Sequence, residues 1–204
     1  DRHQVPPEAD QKETTALVKD VYKDAYSKAS TSDELTSLAK FLLQQGMATK
    51  DDATGRFVLF QEARKAAVEA VDSDLAIEVV GKLAEQYQVD RAEEEALTIE
   101  QLAATAKFST QSKAVAEVAL SLTEKAIASD YVDVANKLAD AALKASRDGR
   151  DNEMIPRATD LRKELESLTA AFEQVRDALK TLESNPTDPD ANFQVGRYWC
   201  FVRN

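Results

Sequence analysis

Apolar residues recur along this chain at intervals of three and four, interrupted by short clusters of aspartate, serine and threonine, a rhythm that predicts helices almost from end to end. The first predicted helix spans residues 8–29, with Val18, Val21, Tyr22, Ala25 and Ala29 on one face. Thr31, followed three residues on by Glu34, has the form of a capping box and opens a second helix. That helix carries Leu35, Leu38, Ala39, Leu42 and Leu43 and ends near Gly46. Asp51, Asp52 and Gly55 lead into a third, with Phe57, Phe60, Ala63, Ala67 and Val71. The acidic run at residues 72–74 starts a fourth, with Ala76, Val79, Val80, Leu83, Ala84 and Tyr87. So short a link predicts that the third and fourth helices form an antiparallel hairpin.

Asp90 with Glu93 opens a fifth helix through Ala92, Ala96, Ile99, Ala103 and Ala106, and residues 109–112 separate it from a sixth that buries Val115, Val118, Ala119, Leu122 and Ala126. Asp130 is expected to cap a seventh, with Val134, Ala135, Leu138, Ala139 and Ala142, closing near Gly149. An eighth, over residues 152–184, is the longest. Its Ala158, Leu161, Leu165, Leu168, Phe172, Val175, Leu179 and Leu182 form an a/d seam, which either packs against helix pairs of the same chain or projects and pairs with a second chain. Pro156 suits the start of that helix, and the NPTDPD run at residues 185–190 ends it. A ninth helix follows through Ala191, Val195, Tyr198, Trp199 and Val202. Trp199 and Phe201 then lack a covering helix, so the natural polypeptide is expected to continue.

Composition narrows the class. Residues 8–155 contain no proline and the chain holds only five glycines, too few for the turns of a β-rich protein. The fold predicted is all-α: stacked antiparallel helix hairpins with one long helix near the carboxyl end. Residues 1–9 are read as a flexible tail, 10–184 as a helical-repeat domain, and 185–204 as the truncated start of a further helix pair.

A formal net charge of −11 argues against binding nucleic acid or anionic lipid unless a local basic patch outweighs it. The densest cationic cluster along the chain, Arg157, Arg162 and Lys163, is interleaved with Asp160, Glu164 and Glu166 and reads as a solvated helix face. No stretch is apolar enough for a membrane span, so membrane insertion is not expected.

Chemistry has little to work with. Histidine occurs once, as His3 in the predicted tail, which rules out paired-imidazole metal sites and His-based triads within the chain. Cys200 is the sole cysteine and is expected to be a buried, inert thiol. The Glu93, Glu94, Glu95 run points around a helix and reads as surface, and Asp51, Asp52 and Gly55 lack the spacing of a calcium loop. Scattered glycines leave no phosphate-binding loop or nucleophile elbow. No enzymatic activity, cofactor or metal is expected.

Asp130-Tyr131-Val132-Asp133-Val134-Ala135, followed by Ala139 and Ala142, resembles the junction within a tetratricopeptide repeat. Residues 191–199 (ANFQVGRYW), preceded by Asp188-Pro189, resemble the opening of such a repeat, with Gly196 as its small residue, although no clean 34-residue period spans the chain. RFVLFQEAR at residues 56–64, the Asp72 hairpin and the ending NPTDPDANFQVGRYWCFVRN look like a helical region of large, uncharacterised, exported bacterial proteins. That resemblance implies a modular, extracytoplasmic setting and no particular activity.

The function expected is therefore a non-enzymatic module for protein–protein interaction or structural spacing. Its partner would be a protein, a peptide or a neighbouring domain. In a tetratricopeptide-like register, Glu117, Ser121 and Glu124 share the polar side of the sixth helix, and Arg64 and Arg197 take comparable positions, together offering a recognition surface. Two alternatives stand beside it: a ligand-, ion-binding or enzymatic domain built from carboxylates gathered across helices, and homo-oligomerisation through residues 152–184.

Overall fold

The computed structural model describes residues 2–201 and places almost all of them in helices. They are α1 (Glu8–Val21), α2 (Lys23–Lys28), α3 (Ser32–Ala48), α4 (Ala53–Ala70), α5 (Ser73–Gln86), α6 (Arg91–Thr105), α7 (Ser109–Ala128), α8 (Val132–Asp148), α9 (Met154–Ser184) and α10 (Pro189–Phe201). No strand occurs among the described residues; the one β-type pairing is an isolated bridge between His3 and Tyr87. Consecutive helices pack on one another, most extensively α3 on α4 and α7 on α8, giving the expected stack of hairpins. α6 joins the halves by touching α4, α5, α7 and α8.

Local signals set most helix starts. Thr31 accepts the Glu34 amide while the Glu34 carboxylate accepts the amides of Ser30 and Thr31, completing the capping box. Asp52 caps α4 through the Gly55 amide at 2.8 Å, Asp72 caps α5 through Leu75, and Asp90 caps α6 through Ala92 and Glu93. Asp188 caps α10 through the Ala191 amide.

α4 is the centre of the core. Phe57, Val58, Leu59 and Phe60 are all buried, so the first half of this helix is enclosed by its neighbours, among them α1, α3, α5 and α6, whereas Lys65 and Glu69 keep one side of its second half in solvent. Gly46 of α3 permits the closest approach: a Cβ there would lie 2.7 Å from Cε1 of Phe60. Arg56 is also buried, donating from Nε to the Tyr87 hydroxyl at 3.1 Å, and that hydroxyl donates to the Ala53 carbonyl at 2.6 Å.

Several expectations are corrected by tertiary contacts. The predicted first helix is broken at Tyr22, and Val21 is 72% exposed because the stripe facing α4 runs through Gln11, Thr15 and Val18 instead. The stretch expected as a free tail is held on the end of α5, where the His3 amide donates to Gln86 and the Gln88 amide donates to His3. α7 begins at Ser109, so its break from α6 lies earlier, around Phe108, and is closed by the Gln111 side chain. Asp130 does not cap α8 with its side chain; it occupies the left-handed region at φ 60°.

That last residue belongs to a recurring device. Val71, Asp130 and Arg150 all have positive φ at helix ends, and in each case the next amide reaches back five residues: Asp72 to Ala67, Tyr131 to Ala126, and Asp151 to Ser146. This is the Schellman closure, made here without the glycine that usually relieves it.

α9 buries Ala158, Leu165, Leu168, Val175 and Ala178 along its seam. The seam is covered within the chain, by α8 and more lightly by α7, then by α10, which among the described residues packs only on α9. Phe172 and Tyr198 meet edge to face at 6.0 Å in that last contact. Arg162, read as solvated, instead ties α9 to α8 through Asp140 at 2.6 Å, and Arg157 ties it to α7 through Glu124. Cys200 is exposed rather than buried, and Trp199 is 45% exposed; Val202 and the Phe201 side chain lie outside the described residues.

Candidate functional site

The turn between α4 and α5, the start of α3 and the outer face of α7 enclose a groove of about 730 Å3. Its shape follows from the Schellman closure at Val71, which reverses the chain within two residues and carries Asp72, Ser73 and Asp74 into the groove wall. Ser32 and Thr36 face them from α3, and Gln111, Glu117 and Ser121 from α7.

The lining mixes polar and apolar residues and carries three carboxylates, of Asp72, Asp74 and Glu117, with no cation among the lining residues. Asp72 is committed to local structure, accepting the Leu75 amide at 3.1 Å and the Thr36 hydroxyl at 3.3 Å. Asp74 and Glu117 are exposed and make no ion pair with the described residues. Ser73 is 5% exposed, and its hydroxyl is buried with no hydrogen-bond partner among the described residues. Such a hydroxyl is costly and, being closed to solvent, offers nothing to a ligand in the groove.

Of the five surface residues singled out by the sequence, two meet here. Glu117 and Ser121 line the groove, one turn apart on α7. Glu124, a further turn along, is paired with Arg157 of α9 at 2.6 Å. Arg64 lies elsewhere, half-buried on α4 and paired with Glu94 of α6. Arg197 is exposed on α10, beside Val175 and Phe193. The structure thus does not gather the five into one surface. Ser73 and Asp74 were missed, because a helix-start signal says nothing of what its polar residues face across the stack.

The carboxylate run is also revised: Glu95 is 4% exposed, not surface, and accepts Arg91 Nε at 2.7 Å. The two carboxylates whose pKa departs from the ordinary range are both lowered. Glu34 is held at about 2, chiefly by hydrogen bonds from the Ser30 hydroxyl and amide and from the Thr31 amide. Asp151 is lowered by the amide of Met154, the Lys113 ammonium and the amide of Glu153. Tyr26 is pushed far up by burial and by the neighbouring Glu62 carboxylate.

Among the described residues no three His, Cys, Asp or Glu side chains are grouped as a metal ion would require, and no helix is long and apolar enough to cross a membrane. No protein-family profile matches the chain, and neither a curated protein nor a solved structure matches it significantly.

Proposed function

We propose that the protein is a non-enzymatic, tetratricopeptide-like helical-repeat module that binds a basic segment of a protein partner in the groove between the α4–α5 turn and α7. One observation carries this reading. Glu117 and Asp74, exposed on different helices and without ion-pair partners among the described residues, face one groove that no described cation lines. Carboxylates attract lysine or arginine side chains, the Ser121 hydroxyl can bond a peptide backbone while those of Ser32 and Thr36, which donate to Ala70 and Asp72, can still accept, and the net charge of −11 favours encounter with a cationic chain. The repeat resemblance supports the same role, since stacked hairpins present long surfaces to extended partners.

Calorimetric titration with a lysine- and arginine-rich decapeptide tests the reading. The double variant Asp74→Asn/Glu117→Gln is expected to weaken binding about tenfold, as two surface ion pairs of up to ~1 kcal/mol each would allow. A distant pair of neutralisations, Asp10→Asn/Glu183→Gln, should change it little. Equal losses from both pairs would contradict a groove-specific site.

A further inference from the structure

Further along α7, a second cavity of about 430 Å3 lies between the start of α6 and the α7–α8 hairpin. Its floor is apolar, formed by the buried Leu122, Ala126, Val134 and Leu138. Around it stand three exposed cations from distant parts of the sequence, Arg2, Arg91 and Lys125. In a chain of net charge −11 such a convergence runs against the mean.

The cations are not used up by the fold. The Lys125 side chain has no hydrogen-bond or ion-pair partner among the described residues, and the Arg2 side chain donates among them only to the Ala84 carbonyl, at 3.4 Å. Arg91 gives its Nε to the buried Glu95 at 2.7 Å and lies across Gly81, while its terminal nitrogens make no hydrogen bond to the described residues. Glu95 therefore fixes the guanidinium in position and leaves its outer edge available. Asp90 and Glu95 also line the cavity, so its three cations face two carboxylates and a single negative charge balances the lining.

We propose that this cavity binds a small amphipathic monocarboxylate, with its head at Arg91 and Lys125 and its apolar body against Leu122, Val134 and Leu138. The volume lies within the range of small-molecule sites, and a few polar groups around an apolar floor is their usual composition. The proposal does not depend on the groove's binding a basic segment.

The test is calorimetry of the whole chain with octanoate, against acetate, which has the head without the tail, and octanol, which has the tail without the head. Octanoate is expected to bind at least about tenfold more tightly than either, since each control forfeits one half of the recognition. Lys125→Gln/Arg2→Gln, both at exposed positions, should weaken octanoate about fivefold or more, whereas Lys40→Gln/Lys180→Gln, which removes the same charge elsewhere, should not. Amide resonances of Ser129 and Tyr131 should shift on saturation. Octanoate binding no tighter than either control, equal losses from the two double variants, or unmoved Ser129 and Tyr131 resonances would each overturn the site.

Discussion

α4 and α9 are both long helices with several alanines, yet one is largely enclosed and the other lies along an edge. α4 buries the four consecutive positions from Phe57 to Phe60 and leaves only Lys65 and Glu69 exposed. α9 buries a single stripe, and its second half packs on α10, which has no other helix partner among the described residues. Stability in a stacked array is roughly a sum of neighbour contacts, so α4 should open only with the whole molecule and α10 well before it. The candidate groove is built on the enclosed part, from the turn that ends α4, and so on the rigid side of this contrast.

The largest expected effect comes from cutting into the enclosed helix. Phe60→Ala should cost about 3–5 kcal/mol in denaturant unfolding. Phe172→Ala, in the partly buried α9–α10 contact, should cost only about 1–2 kcal/mol, in proportion to its smaller buried area. Similar losses at the two sites would erase the distinction. Gly46→Ala probes the same enclosure from outside, because the added Cβ would lie 2.7 Å from the Phe60 ring. Overpacking there should cost about 1–3 kcal/mol, and a neutral result would mean that the α3–α4 contact can yield.

The smallest effect concerns a single cap. Glu34 has its pKa lowered from 4.5 to about 2, so the contribution of its capping hydrogen bonds is fully present above pH 4.5 and is lost as pH falls through about 2. Carboxyl titration by NMR should place its midpoint near 2, and Ser30→Ala, removing the leading cause, should raise it. A midpoint unchanged by Ser30→Ala would contradict that assignment.

What could be read from the sequence was local. The caps at Thr31, Asp52, Asp72, Asp90 and Asp188 depend on residues within one turn, and the seam of α9 on its own spacing. Glu117 and Ser121 were legible as one face of α7 for the same reason. The break at Tyr22, the burial of Glu95 and the docking of residues 2–6 depend on which surface lies opposite, a fact that no window of the sequence contains. The cations Arg2, Arg91 and Lys125 show this most clearly: none belongs to a basic run, and only the stacking of α6 against α7 and α8 brings them to one cavity.

The most direct test of the central claim, that the rigid part of the stack presents a specific groove for a cationic chain, is an amide NMR titration with the basic decapeptide at physiological salt. Shifts concentrated at Ser73, Asp74, Glu117 and Ser121, with α9 and α10 unmoved, are the predicted result. Shifts spread over all acidic surfaces, or centred on α9 and α10, would contradict it.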